Sequence, residues 1–309
     1  MSTAYIFPGQ GAQFAGMGLD LYRESPAARD IFDRADSILG FPLSKMCFEG
    51  PEDELKKTMN AQPALLTMSI ACLEALREKE RETGKRLVPE AEYMAGHSLG
   101  EYTALTAAGS LSFEDAVRLS RDRGQYMYEA GQLNPGGMAA VIAVPEENIR
   151  KLCEETGTCS ANFNCPGQVV ISGTLDAVEA ACGKVKDYGG KFGIPLKVSG
   201  AFHSPFMKPA AEKLTPEIEA VSLKMPSVKI IGNTTAGPLK DIQDIRSELE
   251  EQVNHSVLWE QSVQYMISQG VDTFVEIGPG QVLAGLMKRI NPDMKTINIG
   301  NLNDISSLS

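Results

Sequence analysis

Five residues constrain this chain more than any others: Gly96-His-Ser-Leu-Gly100. They match G-x-S-x-G, a pattern in which a strand breaks sharply into a helix and a serine sits on the break. The short apolar stretch Tyr93-Met-Ala-Gly96 precedes the serine, and Leu99 to Ala108, rich in small residues and good helix formers, follows it. The glycines matter because bulky neighbours would clash in so sharp a turn. The turn lifts the hydroxyl to the top of a sheet, and the next helix aims its amides and positive dipole end at the same point. Three fixed positions in five also arise in a plain tight turn, so at this stage both readings of Ser98 stand.

The rest of the pattern predicts an α/β protein. Ala4-Tyr-Ile-Phe7 reads as a buried strand ended by Pro8-Gly-Gln-Gly11. Residues 62–83 read as a long helix with Pro63 in its first turn and Gly84 as its stop. Phe113 to Ala130 reads as a helix with Ser112 as its N-cap. The rhythm then changes. Strands over 138–144, 159–164, 168–172 and 191–198, with helices over 146–156 and 175–188, give the order β-α-β-β-α-β of a ferredoxin-like unit. Beyond it, helices over 209–221, 245–253, 259–269 and 282–290 alternate with strands over 228–232 and 273–277. The expected architecture is an α/β-hydrolase-like core with a parallel sheet, formed by 1–130 and 199–309. Residues 131–198 form an inserted ferredoxin-like small domain.

Composition narrows the function. With 43% hydrophobic and 22% charged residues, disorder and fibrous repeats are excluded. A net charge of −11 makes the chain a poor general binder of nucleic acid or anionic lipid. There is no apolar run long enough to span a bilayer, and the N-terminal residues lack the basic and apolar regions of a secretory leader. The six cysteines form no C-x-x-C pair and read as idle thiols of a reducing cytoplasm, and no metal site is expected. The expected location is cytoplasmic.

A nucleophilic serine needs a base. Of the three histidines, His97 adjoins Ser98 and reads as a buttress of the turn, and His255 reads as a surface or capping residue near a helix end. His203, in Ser199-Gly-Ala-Phe-His-Ser-Pro205, occupies a loop before a helix, where catalytic residues collect. Phe7-Pro-Gly-Gln-Gly11 is either a strand-ending turn or a backbone donor for an oxyanion. Arg121 and Arg123 read as a solvated helix face, or as one arginine turned into the cleft to bind a carboxylate.

Taken together, Phe7-Pro-Gly-Gln-Gly11, Gly96-His-Ser-Leu-Gly-Glu-Tyr102, Arg123-Gly-Gln-Tyr-Met127, Asn162 to Gly173, Phe202-His-Ser204, Met207-Lys-Pro-Ala210 and Glu276-Ile-Gly-Pro-Gly280 resemble the malonyl-CoA:acyl carrier protein transacylases. The match runs in order over nearly the whole chain. The resemblance implies Ser98 as the acylated serine and His203 as the general base. It implies backbone oxyanion donors at Gln10 and Leu99, and Arg123 on the malonyl carboxylate. Gln252 would orient the histidine through its main-chain carbonyl in place of a triad acid. It further implies ping-pong transfer from malonyl-CoA to the thiol of holo acyl carrier protein in fatty-acid synthesis, with no permanently bound cofactor. It implies no nucleic-acid or membrane partner.

Two departures stand out: His255 falls where another polar residue is expected, and glycine opens Gly200-Ala-Phe-His203, where Phe202 would crowd an α-methyl branch. A polyketide-synthase acyltransferase would share every catalytic residue. A serine thioesterase would leave Arg123 without a role, and a non-catalytic carrier-binding module would not need Ser98 and His203. An acidic carrier must meet a local basic patch, for which Lys184, Lys186, Lys191, Lys197 and Lys208 are the candidates, with a solvated charged face as the plainer reading.

Overall fold

The computed structural model describes residues 2–308. Strand β1 (Ser2–Phe7) is the centre of a five-stranded, all-parallel sheet. On one side it pairs with β2 (Tyr93–Gly96), which pairs with the short β7 (Lys229–Ile230); on the other it pairs with β8 (Val271–Ile277), which pairs with β9 (Lys295–Ile299). The register sets Phe7 beside Gly96 and Ile6 beside Glu276. Loops after β1 and β2 therefore open at the same carboxyl edge, where ligands bind in parallel sheets.

The helices between these strands bury the sheet. Helices α1 (Leu19–Glu24), α2 (Pro26–Leu39), α3 (Leu43–Glu49) and α4 (Glu52–Leu55) fill residues 19–55, for which no element was expected. Helix α2 nevertheless carries readable signals: Ser25 accepts the Ala28 amide, Pro26 opens the first turn, and Gly40 closes it in the left-handed region at φ 71°.

Helix α5 (Thr58–Thr83) is buried along most of its length. It begins four residues earlier than predicted, so Pro63 lies inside it and not in its first turn. A proline there leaves the carbonyl of Met59 without its helical donor. Arg121 supplies one, donating from Nη1 to Met59 O at 2.8 Å. Helix α6 (Gly100–Ala107) follows the serine turn, and α7 (Phe113–Leu133) is capped by Ser112, as predicted. Gly124 lets α7 lie against α5, since a Cβ there would come within 2.6 Å of Met59 Cα and Thr58 O.

Between α7 and the His203 loop lies a separate four-stranded antiparallel sheet. Its elements are β3 (Gly137–Ile142), α8 (Glu146–Thr156), β4 (Cys159–Cys165), β5 (Gln168–Gly173), α9 (Leu175–Lys184) and β6 (Phe192–Pro195), in sheet order β4-β5-β3-β6. Alternation along β3 divides its side chains. Ala139 and Val141 pack with Ile149 and Val178 under the helices, whereas Met138 and Ala140 join the main core. Phe163 N also donates to Val257 O (2.9 Å), and Val257 N to Ala161 O (2.8 Å), so β4 is tied by backbone to the core segment that includes Val257.

The chain ends through α10 (Lys208–Ala220), α11 (Ile242–Glu251), α12 (Trp259–Ser268), α13 (Val282–Ile290) and α14 (Leu302–Ser307). Helix α14 and strand β9 were not expected. Helix α11 starts three residues early because Asp241 caps it, and α9 stops at Lys184, short of the predicted 188.

Candidate active site

Ser98 sits at the break between β2 and α6 with φ 53°, a left-handed conformation costly for a side chain with a Cβ. Its surroundings require the flanking glycines. A Cβ at Gly96 would lie 1.9 Å from the Gly100 carbonyl, and one at Gly100 would lie 2.1 Å from Phe7 O. Asn233, just past β7, clamps the turn: its Oδ1 accepts Ser98 N–H (2.7 Å) and its Nδ2 donates to Gly96 O (2.7 Å). The Ser98 amide is thus spent, while no acceptor among the described residues takes the N–H of Leu99 or Gln10. Gly9 keeps the Gln10 loop against the elbow, since a Cβ there would lie 2.3 Å from His97 O.

Ser98 Oγ lies 2.7 Å from His203 Nε2. On the far side of the ring, Nδ1 lies 2.9 Å from the main-chain carbonyl of Gln252. A carbonyl can only accept, so Nδ1 carries the proton and Nε2 is free to accept from the serine. His203 also has positive φ (54°), held by a loop in which Ser204 Oγ donates to Ala201 O (2.5 Å) and Ser172 Oγ to Phe202 O (2.6 Å). Burial, reinforced by the charge of Arg123, pushes the imidazole down to about 3, so it is neutral at physiological pH.

Of the two candidate arginines, Arg121 serves α5, and Arg123 is the one in the cleft. Arg123 is 1% exposed. Its Nη2 donates to Ser98 Oγ (3.1 Å) and Gln252 Oε1 (2.8 Å), and its Nη1 to Gln62 Oε1 (2.6 Å). Its Nε–H has no acceptor. No carboxylate among the described residues lies within ion-pair distance of it. A buried cation left in this state is costly unless something else completes it.

Several participants carry no motif of their own. Gln62 Nε2 donates to Thr58 Oγ1 (2.8 Å), which donates to Gln10 Oε1 (3.0 Å), so the oxyanion loop and the arginine share one network. Gln252 Nε2 donates to Ser98 O (2.9 Å) and to the carboxylate of Glu101. Asn162 and Met127 also border the cleft, which is further lined by His97, Met138, Leu196, Val198 and Phe202. Glu101, Met127 and Asn162 lay in stretches already noticed; nothing in the spacing marked Gln62 or Asn233.

His97 buttresses the turn, its Nε2 2.8 Å from Asn164 Oδ1 and its ring tilted at 57° against that of Trp259. His255 is exposed, with Nδ1 2.8 Å from Glu251 O. Of the five lysines, Lys184 pairs with Glu155 and Lys208 with Glu212, whereas Lys186, Lys191 and Lys197 are exposed, and of these Lys197 adjoins the cleft-lining Leu196. Among the described residues no cluster of three or more His, Cys, Asp or Glu could hold a metal, and no helix is long and apolar enough to cross a membrane.

A serine on a strained elbow, a neutral histidine and two free amides define an acyltransfer centre. The family of acyl transferase domains matches residues 4–299. A malonyl CoA-acyl carrier protein transacylase of Bacillus subtilis is 48% identical over 96% of this chain and 93% of its own length. Among solved structures, the acyl-carrier-protein-S-malonyltransferase of Bartonella henselae superposes with a TM-score of 0.93 at 40% identity, covering 99% of this chain and 98% of that one. A malonyl-transacylase solved in complex with its type II PKS acyl-carrier protein gives 0.93 at 37% identity, covering 100% and 99%. The chain belongs to the malonyl CoA-acyl carrier protein transacylase family.

Proposed function

We propose that this chain moves a malonyl group from malonyl-CoA to the phosphopantetheine thiol of acyl carrier protein, supplying fatty-acid synthesis, through an ester on Ser98. His203 Nε2 takes the serine proton as Oγ attacks the thioester carbonyl. The tetrahedral oxyanion is held by the N–H groups of Gln10 and Leu99. As the carbon–sulfur bond breaks, His203 returns the proton to the coenzyme A thiolate. The carrier thiol then gives its proton to His203 and attacks the malonyl ester, and Ser98 recovers its hydrogen. The Gln252 carbonyl holds the imidazole tautomer throughout.

The observation that carries this reading is the buried guanidinium of Arg123, whose Nη2 lies 3.1 Å from Ser98 Oγ, with no carboxylate partner and an unpaired Nε–H. The malonyl group brings the missing carboxylate, and an acetyl group does not. Arg123→Ala is therefore expected to lower kcat/KM for malonyl-CoA by about 10²-fold or more, with no comparable loss for acetyl-CoA. Equal losses for both would remove the arginine from substrate selection.

We assign residues 131–198 as the small domain, flanked by core segments 1–130 and 199–309. The six thiols are unpaired, which suits a reducing cytoplasm. Exposed Lys186 and Lys191 serve the carrier protein; reversing both to Glu slows transfer to the carrier and spares the coenzyme A half-reaction, as paired rate measurements would show.

A further inference from the structure

Arg123 does have an anion near it, one amide away. Gln252 bridges the two: its Oε1 accepts from Arg123 Nη2 (2.8 Å), while its Nε2 donates to the Glu101 carboxylate. Glu101 is 0% exposed, and its other oxygen is 3.4 Å from the Asn233 amide. The charged groups that face it are Arg123 from α7 and Glu248 from α11, with Tyr102 adjoining on its own helix. Glu248 is buried too, its oxygens taking the Thr234 amide and hydroxyl at 2.7 Å each. Two buried carboxylates and one buried guanidinium thus lie close together, linked to Ser98 through Arg123 and Gln252.

We propose that Glu101 is the internal counter-ion of Arg123, relayed by the Gln252 amide, and that a carboxylated acyl group displaces it from this role with uptake of one proton on Glu101. The inference rests on Arg123 being the seat of the malonyl carboxylate. Two ionised carboxylates cannot share this buried region without compensation, and the hydrogen bonds from Gln252 and Asn233, together with the charge of Arg123, are what favour the charged form of Glu101. Once the substrate's carboxylate lies on the guanidinium, the arginine's share of that compensation is spent at closer range. Burial and the neighbouring Glu248 already push Glu101 well above the ordinary range of a glutamate, so the acid form takes over. The balance is simple: carboxylate plus solvent proton gives carboxylic acid, which keeps its free oxygen as the acceptor for Gln252. Glu101 is therefore a positioning residue with a charge function. A thioester without a carboxylate cannot make this exchange.

The test is calorimetric titration of Ser98→Ala protein, which cannot be acylated, with malonyl-CoA and with acetyl-CoA. Buffers of different ionisation enthalpy are compared between about pH 6 and pH 9. The acetyl-CoA titration subtracts any proton change of the coenzyme itself. Uptake approaching one proton, specific to malonyl-CoA and greatest between the free and bound pKa values of Glu101, is expected. It is lost in Ser98→Ala/Glu101→Gln protein that still prefers malonyl-CoA. No malonyl-specific uptake at any pH, or uptake that survives Glu101→Gln, overturns the proposal; if the second variant does not fold, the first comparison decides alone. Failure of the underlying reading looks different: Ser98→Ala/Arg123→Ala protein would then keep the preference for malonyl-CoA.

Discussion

His203 Nδ1 donates to the main-chain carbonyl of Gln252 at 2.9 Å, where a triad would place a carboxylate. The residue at 252 thus orients the histidine with its backbone and the arginine with its side chain. Gln252→Ala keeps the first contact and deletes the second. Steady-state kinetics should show kcat/KM for malonyl-CoA falling by about 10–10²-fold, the cost of one hydrogen bond to a charged group. Acylation by acetyl-CoA should fall far less. Parallel losses would mean that the side chain acts through its bond to Ser98 O and not through the arginine.

A neutral imidazole pushed down to about 3 shapes the pH profile. A lowered pKa means the base stays unprotonated as pH falls, so the acid limb of kcat/KM lies well below the ordinary histidine value near 6.5. Arg123 is the second cause of that shift after burial. Arg123→Ala should therefore move the acid limb upward, as a pH–rate profile with acetyl-CoA would reveal. A wild-type limb centred near 6.5 would contradict this electrostatic picture.

Gly9 bears on the oxyanion amides without contributing one. A Cβ there would meet His97 O at 2.3 Å, backbone against backbone, so Gly9→Ala must push the Gln10 loop off the elbow. Loss of one oxyanion donor costs about 10²–10³ in kcat. A rapid-mix acylation assay should find that loss with KM little changed. An unaltered acylation rate would exclude Gln10 N–H from the reaction.

Arg121 and Pro63 make a stability prediction. Arg121→Ala leaves the Met59 carbonyl without a donor and should cost about 1–3 kcal/mol. In a Pro63→Ala background the new amide at 63 can donate to Met59 O, so the same arginine deletion should cost less. Denaturant unfolding of the four proteins gives the coupling directly. Strictly additive costs would show that the arginine acts through Asn60 Oδ1 (2.6 Å) or the Phe41 ring alone.

Much of this was legible in the chain. The elbow declared itself because sharp turns demand glycine, and the ferredoxin-like order showed because each strand and helix there has its own periodicity and caps. Helix α5 was misjudged at its start because Pro63 reads locally as an opening residue. The donor that lets the helix begin earlier comes from residue 121, and local patterns cannot see it. The late pair β9–α14 has too few residues to set a clear period, whereas the strand expected over 228–232 is present as the shorter β7. Within the site, residue type left Arg121 and Arg123 both open until the resemblance singled out Arg123, whereas Ser98 and His203 were accessible by residue type. Gln62, Glu101, Asn162 and Asn233 were not, since buried polar residues acquire meaning only when distant segments meet. Ser98 and Asn233 lie 135 positions apart and are joined by a 2.7 Å hydrogen bond.

The central claim is a malonyl ester on Ser98, and intact-protein mass after brief mixing with malonyl-CoA tests it most directly. One malonyl adduct should appear on the wild-type chain, disappear on adding holo acyl carrier protein, and never form on Ser98→Ala. Steady release of coenzyme A with no adduct on the wild type, or an adduct that persists in Ser98→Ala, would contradict the account.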